Sequence, residues 1–184
     1  MSDIVIISGS PSELSRSEKL LQYIGSTIRK EHYSVTFISI KDIPAEDLVQ
    51  GNYESPVLQQ IAQHIQEASG VIVGSPVYKA AYSGVLKALF DLLPQDVLYD
   101  TYVLPIMTGG SPSHMLAMDY ALKPLVSTMK GLPLKGLYYI DSQLDKHQEN
   151  PIINEEILDR TEKQLFYFLE KIGLKKSISN ATIR

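Results

Sequence analysis

The chain contains no cysteine, which removes disulfides, thiolate zinc sites, iron–sulfur clusters and thiol redox chemistry together. It also lacks an excess of positive charge. Seventeen Lys and Arg face 21 Asp and Glu, for a formal net charge of −4 and a pI near 5.6. No Lys/Arg run makes a local exception, so neither nucleic acid nor an anionic membrane surface is an expected partner. No apolar stretch approaches the length of a bilayer-crossing helix. Met1-Ser2-Asp3 ahead of a short apolar run does not read as a signal peptide, and the expectation is a cytoplasmic protein. What is present, 44% hydrophobic and 21% charged residues over 184 positions, is the composition of one ordinary domain with a substantial core. That domain is expected over residues 1–174, with a mobile tail at 175–184.

The opening is the most informative stretch. The apolar run Ile4-Val5-Ile6-Ile7 reads as a strand and leads directly into Ser8-Gly9-Ser10-Pro11-Ser12-Glu13-Leu14-Ser15-Arg16-Ser17. Leu20, Leu21, Ile24 and Ile28 then recur at helical spacing, so Ser10, Ser15 and Ser17 converge with backbone N–H groups on a helix N-terminus, a ready-made phosphate cradle. No Lys-Ser or Lys-Thr pair follows the glycine, and Gly9 stands alone. The loop therefore fits neither nucleotide-binding glycine motif, which favours a single terminal phosphate over a triphosphate or dinucleotide pyrophosphate. Ser15-x-x-Glu18 is also a capping box, so helix capping stands beside phosphate binding as a reading of Ser15; it leaves Ser10, Arg16 and Ser17 unexplained.

Val35–Ile40 reads as a second strand, ended by Pro44 and a polar segment in which Asp42, Glu46 and Asp47 form a solvated linker face. Ser55-Pro56 reads as the cap and first position of the next helix, with Leu58, Ile61, Ile65 and Ala68 as its apolar stripe. Gly70-Val71-Ile72-Val73-Gly74 is a central strand buried on both faces. A helix carrying Val85, Leu86, Leu89, Phe90 and Leu93 stops at Pro94, and Val103–Met107 is the fourth strand, with Pro105 favouring a place near an edge or beyond the main ladder. A helix over His114–Met129, a fifth strand at Leu137–Ile140 and a last helix over Ile153–Ile172 complete the chain. Alternating strands and helices call for a doubly wound α/β parallel sheet with helices on both faces, and order 2-1-3-4-5 is expected. Its ligand belongs beyond the carboxyl ends of the strands, at the switch between strands 1 and 3.

Three distinctive loops follow strands 1, 3 and 4 and therefore meet at one sheet edge. The second, Ser75-Pro76-Val77-Tyr78-Lys79-Ala80-Ala81-Tyr82-Ser83-Gly84, combines a proline-stiffened turn with an aromatic and a cation. The third, Thr108-Gly109-Gly110-Ser111, offers backbone N–H groups to a planar heterocycle. Through Gly9-Ser10-Pro11, Ser15-Arg16-Ser17, Gly74-Ser75-Pro76-Val77-Tyr78 and Thr108-Gly109-Gly110 the sequence resembles the NADPH-dependent FMN reductase family. The runs from Pro76 to Lys87, Asp91-Leu92-Leu93-Pro94 and Asp119 to Leu125 are similar to the flavin reductase component of two-component alkanesulfonate monooxygenase systems. The resemblance covers most of residues 1 to about 145.

The resemblance implies a flavodoxin-like domain that binds FMN, takes hydride from NADPH and supplies reduced flavin to a monooxygenase. It implies that Ser10, Ser15, Arg16 and Ser17 hold the FMN phosphate, and that Pro76, Val77, Tyr78, Lys79 and Ser83 lie beside the ribityl chain and ring edge. Thr108, Gly109, Gly110 and Ser111 would meet the pyrimidine end. Gly109 and Gly110 N–H groups would stabilise negative charge on the reduced flavin, the one catalytic role expected of the protein. Lys79 or Arg16 is placed to reach a 2′-phosphate, with solvation as the alternative for either cation. In an alternative reading Tyr82, and less so Tyr78, is only a packing residue with its hydroxyl paired.

His32, His64, His114 and His147 lie too far apart in sequence for standard metal spacing, and no metal is expected; His114 alone adjoins the third loop. The helix around Tyr120 is apolar around most of its circumference, which points to a homo-oligomer, dimer or tetramer. Pro124 deprives the Tyr120 carbonyl of its helical donor, so a bulge or kink is expected there. In the resembling branch this segment is a π-type bulge at a tetramer interface, which puts Tyr120 at the interface.

Overall fold

A computed structural model describes residues 3–182, with side chains through Leu174. Strand β1, Ile4–Ser8, is buried along its whole length, as a strand covered on both faces must be. It pairs in parallel with β2, Val35–Ser39, on one side and β3, Gly70–Pro76, on the other. Next comes β4, Tyr102–Gly109, and β4 pairs with two short parallel strands, β5 at Leu132–Pro133 and β6 at Leu137–Ile140. The sheet order β2-β1-β3-β4-β5 is the expected one; the fifth position is divided between β5 and β6.

Alternation along the strands sorts the core into two layers. Val5, Ile7, Val71, Val73, Val103 and Met107 face helices α3, Pro56–Glu67, and α4, Gly84–Leu92, and the segment ending in α5, Lys123–Thr128. Ile4, Ile6, Ile72, Leu104 and Ile106 face α1, Arg16–Lys30, and α6, Glu155–Thr182. Leu20, Leu21 and Ile24 of α1 are fully buried in that second layer, where truncation of one such residue to alanine costs about 2–5 kcal/mol. The tail expected at 175–184 falls on residues whose side chains lie outside the described set, and the α6 backbone is traced to Thr182.

Three expectations are refined. Pro105 lies near an edge but inside the ladder, in β4 between β3 and the short outer strands β5 and β6. The gap between β5 and β6 accommodates it. Leu134 N–H donates to the Val103 carbonyl, and alternation turns Pro105 to the same side, opposite residues 134–136, where neither short strand is paired. A ladder with a break there has no use for the missing N–H. Second, the polar segment after β2 is not all linker, because Ala45–Gln50 forms a short helix, α2. Third, Ser55 is the N-cap residue of α3 with Pro56 in its first turn, as expected, but its hydroxyl makes no capping bond and donates instead to Asp47 at 2.6 Å. That bond and a second from Asn52 hold the Asp47 carboxyl below its ordinary range.

The expected distortion at Pro124 is a π turn over Met118–Leu122, in which Lys123 N–H reaches the Met118 carbonyl five residues back.

Candidate active site

The loops after β1, β3 and β4 are stitched together by hydrogen bonds at the carboxyl edge of the sheet. Gly9 N–H donates to the Gly74 carbonyl at 2.7 Å, and Val77 N–H donates to the Thr108 carbonyl at 2.7 Å. The Ser83 hydroxyl, fully buried, donates to the Gly9 carbonyl at 2.5 Å and accepts Leu86 N–H at 3.2 Å as the cap of α4. Gly9 is required by closeness: a Cβ there would stand 2.7 Å from Leu86 Cδ2 and 3.1 Å from the Gly74 carbonyl.

In the first loop Ser10 and Ser17 are buried, Ser15 is half-buried and Arg16 is exposed. Ser15 Oγ accepts Glu18 N–H at 3.2 Å and shares a hydrogen bond with Ser17 Oγ at 2.8 Å. The serine half of the capping box therefore forms. The glutamate half does not, because Glu18 turns inward to other partners. Hydroxyls of Ser10, Ser15 and Ser17 stand at or before the first turn of a 15-residue helix, a donor set suited to a phosphate monoester.

The second loop turns between Tyr78 and Ala81, which exchange two backbone hydrogen bonds of 2.8 and 3.1 Å. This two-residue hairpin loop places Lys79 at φ 50° and Ala80 at φ 67°, the left-handed pair that such turns demand and that costs about 1–2 kcal/mol at each non-glycine residue. Pro76 and Val77 are half-buried, while Tyr78 is 46% exposed and Lys79 is exposed beside it. Tyr82 packs against the core, and burial raises its hydroxyl pKa above the usual value.

In the third loop Thr108 and Gly109 are buried, Gly110 is exposed and Ser111 is half-buried. A Cβ at Gly109 would lie 2.5 Å from the Tyr138 hydroxyl. That hydroxyl donates to the Ser111 carbonyl at 2.6 Å, and Arg160 of α6 donates to the Tyr138 carbonyl at 2.8 Å. The Ser111 hydroxyl accepts Ser113 N–H at 3.2 Å. His114 is exposed next to Gly109. Among the described residues no group of three His, Cys, Asp or Glu side chains is placed to hold a metal ion. Nor is any helix among them long and apolar enough to cross a membrane.

Residues 2–145, three-loop edge included, match the family described as NADPH-dependent FMN reductase. The chain belongs to this family. The reductase is 46% identical over 142 residues to "FMN reductase (NADPH)" of Pseudomonas putida, covering 77% of this chain and 72% of the relative. It is 38% identical over 170 residues to "FMN reductase (NADPH)" of Escherichia coli, covering 92% and 89%. It is 34% identical to "NADH-dependent FMN reductase SfnF" of Pseudomonas putida, covering 78% and 80%. Among solved structures, the apo form of an NADH:FMN oxidoreductase, EMOB, superposes with a TM-score of 0.80 at 30% identity, covering 91% of this chain and 88% of that one. A flavodoxin from an archaeon superposes at 0.59 with 13% identity, covering 92% and 98%, a likeness of fold. The reductase is thus an oxidoreductase of flavodoxin-like fold that works with FMN and NAD(P)H.

Sequence reasoning missed five residues that shape this edge. Tyr138 and Arg160 support the third loop from β6 and α6. Ser8, Ser39 and Lys41 surround the inward-turned Glu18 beneath the first. Local patterns carry no signal for contacts of this range; the one available hint was that a glutamate at the third position of α1 has two possible destinations.

Proposed function

We propose that the reductase takes hydride from NADPH to FMN and releases the reduced flavin to a partner monooxygenase acting on organosulfonates. The observation that carries this reading is the convergence of three loops on one open edge, with a hydroxyl-rich helix start at one end and Gly110 at the other. The residues fit the flavin. Ser10, Ser15, Ser17 and Arg16 match a terminal phosphate in donor chemistry. A Cβ at Gly110 would find nothing nearer than Asp141 at 3.9 Å, so backbone N–H groups there are accessible to a flat ring.

The hydride chemistry is supplied by the bound flavin and nicotinamide. The chain's part is to hold and orient. Pro76, Val77 and Tyr78 would flank the ribityl chain and ring edge of a bound flavin, and Lys79, on its left-handed turn, would be available to the nicotinamide dinucleotide. Thr108, Gly109, Gly110 and Ser111 would meet the pyrimidine end, where N–H groups of the glycine pair would stabilise negative charge as oxyanion donors do. Tyr138 fixes that loop by holding the Ser111 carbonyl.

Release to a partner is favoured by the resemblance of the Pro76–Lys87 and Asp119–Leu125 segments to the reductases of alkanesulfonate monooxygenase systems. Tyr120, 80% exposed in the π turn, lies with exposed Met115 and Leu116 on a patch suited to a second copy of the chain. The test of the phosphate assignment is Arg16→Ala, expected to weaken FMN far more than riboflavin; equal losses would sink it. The test of release is gel filtration after turnover. Reduced flavin in the small-molecule fraction supports supply to a partner, whereas flavin retained through turnover on a quinone or azo acceptor favours a prosthetic-flavin reductase.

A further inference from the structure

Glu18 is a nearly buried carboxylate in the first turn of α1, and its backbone N–H donates to the Ser15 hydroxyl assigned to the flavin phosphate. Its own place in the helix would favour it there, yet a second anion, the phosphate, is to bind the same helix end. The register of β1 with β2 sets Ser8 beside Ser39, and both hydroxyls donate to Glu18 Oε2 at 3.1 Å. The other oxygen, Oε1, receives Lys41 Nζ at 2.9 Å. Lys41 follows β2 directly, and its ammonium also lies 3.6 Å from Glu13 in the phosphate loop itself. One cation therefore spans an inner carboxylate and an outer one, on the two sides of Ser15 and Ser17.

We infer that Lys41 is a specificity-determining residue of the reductase: by neutralising Glu18 and tying Glu13 to the sheet, it makes the first loop accept a phosphorylated flavin over an unphosphorylated one. The inference rests on the phosphate-loop reading above. Without Lys41, two hydroxyl donors would be left to balance Glu18, and a negative charge would stand under the site of a dianion. Like charges near the same helix start, away from bulk water, repel one another, whereas riboflavin, with no phosphate, is indifferent to that charge. The raised pKa of the Lys41 ammonium, caused first by its hydrogen bond to Glu18 and opposed by burial, keeps the neutralising charge in place at neutral pH.

The test compares FMN with riboflavin by fluorescence titration of flavin-stripped protein. Lys41→Met is expected to raise the Kd for FMN on the order of tenfold while riboflavin shifts by no more than about twofold. Lys41→Arg should restore most of the preference. Adding Glu18→Gln to Lys41→Met removes the unpaired anion and should recover FMN affinity, an outcome that a merely structural tie would not give. If Lys41→Met does not fold, Lys41→Gln, which keeps a hydrogen-bond donor, provides the same comparison. Equal losses for both flavins, or a double variant no better than the single, overturn the role of Lys41 and leave the phosphate site standing. A wild-type protein that binds both flavins equally overturns the phosphate site and this inference together.

Discussion

Ser83 and Gly9, 74 positions apart in the chain, are joined by a 2.5 Å hydrogen bond from the Ser83 hydroxyl to the Gly9 carbonyl. The bond fastens the start of α4 to the loop after β1, and the same oxygen caps α4 by accepting Leu86 N–H. Ser83→Ala leaves a buried carbonyl without its donor, at a cost of about 1–3 kcal/mol, and loses a cap worth about 1 kcal/mol. Urea unfolding is expected to show that loss together with weaker FMN binding. An unchanged midpoint would mean that the loop does not depend on this tie.

Tyr138→Phe removes the hydroxyl that holds the Ser111 carbonyl and keeps the ring in the core. The expected result is a stability loss of about 1 kcal/mol, with a rise in KM for FMN as the third loop loosens. Burial, with the nearby Asp141 charge adding to it, raises the Tyr138 pKa above its ordinary value of 10.0. The hydroxyl thus stays a donor across the neutral range, and the variant's deficit should be flat with pH there. A KM equal to wild type would remove Tyr138 from the site.

The strands were legible because their burial is written in unbroken apolar runs: Ile4–Ile7 and Val71–Val73 have no polar face to misplace. A distortion was legible because Pro124 withholds a donor from Tyr120, while its π form, closed by the bond from Lys123 to Met118, was implied only by the family resemblance. Other features depend on partners that no local pattern contains. Ser15-x-x-Glu18 has the same spelling whether Glu18 caps the helix or turns inward, and the choice is made by Ser39 and Lys41, more than 20 positions away. Pro105 pointed only to the neighbourhood of an edge because the break between β5 and β6 that tolerates it inside the ladder is invisible from β4. Six-residue α2 is too short for helical periodicity to declare itself.

The Lys41 ammonium is held above its ordinary 10.5 by the Glu18 hydrogen bond, against burial, with the Glu18 and Glu13 charges adding to the rise. A raised folded value means that the ion pair contributes fully below the unfolded pKa and is lost as pH rises through the folded one. The difference in unfolding midpoint between wild type and Lys41→Met should be constant from about pH 7 to about pH 9 and shrink in the alkaline range. A difference that disappears near neutrality would show that the pair is not the source of the effect.

Tyr120→Ala trims an exposed aromatic from the π turn and should leave the monomer fold intact, since surface substitutions usually change stability by no more than about 0.5 kcal/mol. The expected change is in assembly: a smaller species by sedimentation velocity, or faster flavin release. An unchanged protein in both respects would refute the interface role of the turn.

The most direct test of the account is NADPH oxidation by flavin-stripped protein as FMN is added, with free reduced flavin followed in the same experiment. The account predicts a rate that saturates with FMN, many turnovers for each protein chain, and reduced FMN accumulating in solution. One equivalent of tightly held flavin, with no further NADPH consumed when FMN is in excess, would contradict it.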